Sequence, residues 1–275
     1  MRKSRAYAIA AIAMLTVAAA AYAQQTTPEQ PAAAAPAPAG TTTAALPDNA
    51  PVQASALDAV AELAKAHWGD AKAGATKAGA CAACHGLDGN PSDAQYPRLA
   101  GMPERYVATQ LALFKSGERT GGMAAVMVPM ATPLSAQDMR DLGAFFAQQK
   151  AGAGIADDTV IADGPNKGMK FYQVGEQLFH GGDAKRGIPA CMACHGPTGA
   201  GNPGPAYPHI GGQQSAYVQR RLEEYRTGTT NERDHHNFDV MATVAHQLTD
   251  EEIGSLASYV QGLHARRDEA AASTK

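Results

Sequence analysis

Aromatic side chains are scarce: they make up 6% of the 275 residues, tryptophan occurs once, and much of the 45% apolar fraction is alanine. Any domain built from this chain is short of large side chains for a core, a deficit that small domains cover with disulfides, metals or bound groups. Basic residues are not in excess either. Lys and Arg number 23 against 26 Asp and Glu, so no nucleic acid is expected as a partner. No run shows the period-two alternation of a half-buried strand, and beyond the first 23 residues no stretch is apolar enough to cross a bilayer.

What is present begins with that N-terminal stretch. Arg2, Lys3 and Arg5 precede an apolar, alanine-rich run that closes on Ala21, Tyr22 and Ala23, the pattern of a secretory signal peptide cleaved after about Ala23. A permanent anchor is the competing reading, disfavoured by the cleavage-like triplet. Removing three basic residues leaves a mature net charge of 20 − 26 = −6. Residues 24–54 form a Pro/Ala-rich linker without hydrophobic periodicity. Residues 55–68 are a helix-like extension with Leu57, Val60, Ala61 and Leu63 on one side.

The remainder is written twice. GDAK at Gly69–Lys72 recurs at Gly182–Lys185, CAACHG at residues 81–86 recurs as CMACHG at 191–196, and YPRLAG (96–101) answers YPHIGG (207–212). Tyr106, Leu111 and Gly117 have counterparts 111 residues on, in Tyr217, Leu222 and Gly228; by Pro133–Asp138 and Gln247–Glu252 the offset has grown to 114. Two copies make a duplicated domain and not a solenoid. The expected architecture is all-α: a first module over 69–151, an interdomain linker over 152–167, a second module over 168–266 and a tail over 267–275. Helices are predicted from Pro103 through Tyr106, Val107, Gln110, Leu111 and Phe114, and after the capping pairs Ser135/Asp138 and Thr249/Glu252.

All four cysteines sit in the repeated phrase, and C-x-x-C-H is the attachment signature of c-type haem. Two thiols at that spacing can form thioethers with the two vinyl groups on one porphyrin edge, and the next residue's imidazole then lies beneath the iron. Cys81, Cys84, Cys191 and Cys194 are the candidate anchors, and His85 and His195 the proximal ligands, for two covalently bound haem c groups. A redox disulfide lacks its strand–helix context, and a four-cysteine zinc site would need pairs closer together than the 110 residues that separate these. A ligating imidazole is held by a hydrogen bond from its other nitrogen; Pro97 and Pro208 either supply those carbonyls or merely end a loop. For the sixth ligand, Met123, Met127 and Met130 compete in the first module. Repeat register favours Met127, because it precedes Leu134 by the same seven residues that separate Met241 from Leu248, whereas Met130 aligns with Val244. His235, His236 and His246 are the alternatives to Met241.

From about Gly69 to His264, through both CxxCH motifs, YPRLAG, YPHIGG, PLSAQDM and the closing YVQGLH, the chain resembles the cytochrome c-four family of exported di-haem c-type cytochromes. That resemblance implies two small helical cytochrome c domains with His85/Met127 and His195/Met241 as axial pairs, and periplasmic delivery of single electrons towards a haem-copper terminal oxidase. Redox partner proteins are expected, with peripheral association at membrane complexes. Two further readings stay open: the cytochrome subunit of a dehydrogenase complex, and a di-haem peroxidase needing one weakly held sixth ligand. With no acid/base constellation in view, electron transfer rather than catalysis is expected.

Overall fold

The computed structural model describes residues 58–265. The proposed signal segment, the 24–54 tract, residues 55–57, Arg266 at the end of the second module and the 267–275 tail lie outside the described residues. The described residues form helices and loops, with isolated β-bridges at Val160/Lys170, Asp183/Ile188 and Asn202/Tyr207 but no strand.

The first module contains α1 (Ala59–Glu62), α2 (Ala71–Lys77), α3 (Gly79–His85), α4 (Glu104–Ser116), α5 (Ala124–Ala131) and α6 (Ala136–Ala147). Asp70 starts α2 by accepting from the amides of Lys72 and Ala73, which would otherwise lack partners. Helix α4 begins one residue later than predicted, because Pro103 is its cap and not its first residue; Gly117 ends it in the left-handed conformation that suits glycine. Ser135 and Asp138 close the predicted capping box on α6.

The second module repeats the plan with α7 (Phe171–Gly181), α8 (Met192–His195), α9 (Ser215–Thr227), α10 (His236–Ala245) and α11 (Asp250–Gly262), and Thr249 and Glu252 form the matching box. In each module the opening and closing helices cross at a glycine. A Cβ on Gly74 would stand 2.0 Å from the Asp141 carbonyl oxygen, and one on Gly175 2.1 Å from that of Ser255. Only hydrogen in place of a side chain lets the backbones approach so closely.

Each core is small. Met139, Leu142 and Phe146 of α6 meet Val107, Leu111 and Phe114 in the first, and Val174, Leu178 and Phe179 of α7 meet Ile253, Leu256 and Val260 in the second. The extension has a definite place: Ala59 and Leu63 are buried in the first core, although its regular helix covers only Ala59–Glu62. The interdomain segment lies along α11, with Gly154 N–H donating to Gln261 O, Asp157 N–H to Ser258 Oγ, and Ile161 inside the second core.

The two modules meet along a seam. Repeat-equivalent residues meet across the seam: Tyr106 and Tyr217 line the same cleft, and Asn231 Nδ2 donates to Thr120 Oγ1 at 3.2 Å. Around them Arg98 donates to Gly212 O at 2.6 Å and to Gln213 Oε1 at 2.8 Å, while His209 packs against Gly101. Such pairing of like with like is how a duplicated surface closes on itself.

Candidate haem centres

Helix α3 carries Cys81, Cys84 and His85 on a single turn, and α8 with its cap carries Cys191, Cys194 and His195. Both helices stop immediately after the histidine because Gly86 and Gly196 take φ of +78°. The chain then loops back to place a proline carbonyl beside the ring: His85 Nδ1–H donates to Pro97 O at 2.9 Å and His195 Nδ1–H to Pro208 O at 3.0 Å. The carbonyl can only accept, so the proton is on Nδ1 and Nε2 is left as the free donor of a lone pair. Burial lowers the pKa of both imidazoles, against the smaller opposing effect of those hydrogen bonds, so the rings are kept in the neutral form a metal needs.

Neither CxxC pair is joined as a disulfide. Burial raises Cys81 and pushes Cys191 up to about 11. Among the described residues no group of three or more His, Cys, Asp or Glu side chains is arranged to hold a metal ion by itself, which leaves the zinc reading without a site.

Each motif opens onto an apolar cleft. The first encloses about 1220 Å³ of empty space open to solvent, lined by Cys81, Cys84, His85, Leu111, Phe114 and Met127. The second encloses about 1860 Å³, with Cys191, Cys194, His195, Leu222, Val260 and Met241 on its walls. Met127 packs on the first core, whereas Met130 on the same wall is 41% exposed. On the second wall His236 joins Met241, His235 is held by Asp239 Oδ2 at 2.6 Å, and His246 is exposed.

The residues fit a haem. Two thiols, an imidazole and a thioether line each cleft, and most of the rest of the exposed lining is apolar. Where the clefts approach the seam, Arg119 Nε and Arg221 Nε are buried without hydrogen-bond partners; the carboxylates of a haem are the class of group that would satisfy such donors. Repeat register carries no signal for these arginines, since it sets Arg119 against Thr230 and Arg221 against Gln110. Arg119 Nη2 donates to Tyr217 OH at 3.2 Å. Burial works to raise the Tyr217 phenol, but Arg119 and Arg221 outweigh it and bring the pKa down to about 8.

The cytochrome c profile matches twice, over residues 71–150 and 172–264. Cytochrome c4 of Pseudomonas aeruginosa is 42% identical over 197 residues, covering 71% of this chain and 90% of the relative. The chain belongs to the cytochrome c4 family. A crystal structure of reduced recombinant cytochrome c4 from Pseudomonas stutzeri superposes with a TM-score of 0.62 at 40% identity, over 71% of this chain and all of that one. A protein of Thiomonas intermedia named thiosulfate dehydrogenase electron acceptor is 36% identical over 206 residues, 74% of this chain and 86% of its own length. As a member of the cytochrome c4 family the chain is a di-haem electron-transfer cytochrome with two covalent haem c groups, and it is a carrier and not an enzyme. No helix among the described residues is long and apolar enough to cross a membrane.

Proposed function

We propose that the protein is exported, with cleavage after about Ala23, and carries single electrons in the periplasm between respiratory-chain partners, towards a terminal oxidase. Haem is attached at Cys81/Cys84 in a module over 69–151 and at Cys191/Cys194 in a module over 168–266, joined by 152–167. The axial pairs are His85 with Met127 and His195 with Met241. The observation that carries this is the coincidence of repeat register with geometry: the methionine that aligns between copies lines each cleft together with an imidazole whose Nδ1 is already engaged.

A bound haem supplies one-electron exchange between ferric and ferrous iron. The chain's own part is to hold the imidazole neutral and oriented, offer a soft sulfur that raises the potential, and exclude water with an apolar lining. If His85 with Met127 and His195 with Met241 held the two irons, no position would be left for a substrate. The name of the Thiomonas relative favours a second reading, in which the electron donor is a dehydrogenase; peripheral contact with membrane complexes is compatible with either.

Mass spectrometry of the secreted protein should show two haems and loss of residues 1–23, and a weak long-wavelength band in the oxidised spectrum should report iron–sulfur bonding. Met127→Ala should remove the first module's share of that band and lower its potential, while Met130→Ala should leave both in place. Loss of the band in Met130→Ala instead would overturn the register assignment.

A further inference from the structure

The repeat offset is 111 at Thr120/Asn231 and 114 at Met127/Met241. Three extra residues therefore lie in the second module between those points, in a stretch that holds three charged residues in a row: Glu232, Arg233 and Asp234. The structure shows what they do. Arg233 clamps the stretch to the first module, its backbone N–H donating to Glu118 Oε2 at 2.8 Å and its guanidinium to Glu118 Oε1 at 2.8 and 3.1 Å. Glu118 is only 8% exposed, so the carboxylate end of this anchor is enclosed while the Arg233 side chain stays exposed. Glu232, half-buried, is thereby set into the wall of the second cleft beside Arg221 and Tyr106. The first cleft has no counterpart to it: its wall carries Arg119, Arg220 and Glu224 at the seam but no residue from an equivalent insertion. The duplication has thus left the two clefts with different charged groups: among the carboxylates, Glu224 lines the first, and Glu118, Glu232 and Asp234 line the second.

Resting on the two-haem reading above, we propose that Glu232 differentiates the two centres: ionised, it holds the second module's potential below its neutral-state value, and it takes up one proton from water for each electron the second module accepts. The charge bookkeeping is simple. One electron enters the cleft, one proton moves from solvent to the Glu232 carboxylate, and both leave together on oxidation, so the net charge of the cleft does not change.

The charged groups that act on Glu232 are Arg221 of α9, Glu118 and Arg119 from the segment after α4, and Asp234 of its own stretch; Tyr106 of α4, Tyr225 of α9 and His236 line the same cleft. Burial raises its pKa above the ordinary carboxylate value; Arg221 and Arg119 oppose this, and Glu118 and Asp234 add to it. A carboxyl moved in that direction titrates closer to neutrality than an exposed one. An electron added nearby favours the protonated form further, which is the same coupling read from the other side.

The test is a potentiometric titration of the haem-loaded protein over a series of pH values, with the first module's wave identified by Met127→Ala. The second centre's potential should fall as pH rises through the titration of Glu232, with a limiting slope of a tenfold change in the reduction equilibrium per pH unit, about 59 mV for one electron. Glu232→Gln should abolish that slope and leave the potential at the value wild type reaches in acid; Glu232→Asp should keep a slope, displaced in pH. A purely structural role would not give this split. A slope that survives in Glu232→Gln, or a flat wild-type profile, overturns the proposal. If Glu232→Gln does not fold, the infrared difference spectrum of wild type decides: a carboxylic-acid C=O band should grow on reducing the second centre, and its absence overturns the assignment. Two haems by mass with a flat slope defeats only the role of Glu232, whereas a chain lacking haem at Cys191/Cys194 defeats the underlying two-haem reading.

Discussion

Gly175→Ala should destabilise the second module although alanine is the better helix former. Gly175 lies inside α7, where the exchange by itself favours folding by about 1 kcal/mol. A Cβ there, however, would stand 2.1 Å from Ser255 O and 2.6 Å from its carbonyl carbon, with the Tyr259 Cβ at 2.8 Å. Ordinary contact begins near 3.4 Å, so α7 and α11 must separate by more than about 1 Å. The obstacle is helix backbone and cannot rotate away as a side chain would. Overpacking costs of about 1–3 kcal/mol are usual, and the backbone obstacle puts this case at the upper end, for a net loss of about 1–2 kcal/mol. Gly254→Ala, in the interior of the same α11, is the control. Its nearest neighbours would be Gln219 Nε2 at 3.6 Å and Phe171 Cε1 at 3.7 Å, so a gain of about 0.5–1 kcal/mol is expected. Guanidinium unfolding of the haem-loaded chain reads both. The Gly175 variant's midpoint should fall by roughly 0.3–1 M at the usual denaturant slopes, and the Gly254 variant's should rise. Equal or greater stability in Gly175→Ala would refute the close-approach reasoning.

Two further outcomes concern the helix that closes the first module. Ser135→Ala removes the acceptor for the Asp138 amide and half of a capping box, and thermal unfolding should show a loss of about 1 kcal/mol. Thr249→Ala should match it in the second module. Burial works to raise the Asp138 carboxyl, but hydrogen bonds from Lys77 and Ser135 outweigh it and hold the pKa down to about 2. A depressed carboxyl contributes stability above its unfolded pKa and loses it as pH falls through the folded one. The contribution should therefore disappear between about pH 4 and pH 2, and Asp138→Asn should flatten that part of the acid-unfolding profile.

Much of this protein could be read one residue type at a time. The CxxCH phrase names its cofactor because thioether attachment and iron ligation need those three side chains within five positions, and duplication allowed each module to check the other. The capping pairs at Ser135 and Thr249 mark helix starts through purely local hydrogen bonds, which is why they were legible. The proline carbonyls were visible only as an alternative, since twelve or thirteen residues of loop separate Pro97 and Pro208 from the rings they hold. The extension's role was not legible at all: the burial of Ala59 and Leu63 depends on a surface made by other helices.

The seam belongs to tertiary structure alone. Nothing local says that Tyr106 will meet Tyr217, that Arg233 will reach Glu118, or that two guanidinium nitrogens will be buried without partners, because those relations depend on how one module is laid against the other. Sequence determined the chemistry of each centre, through short-range geometry that any copy of the phrase would reproduce. Only the packing of the two copies decided what surrounds them, and with it which charges each centre feels.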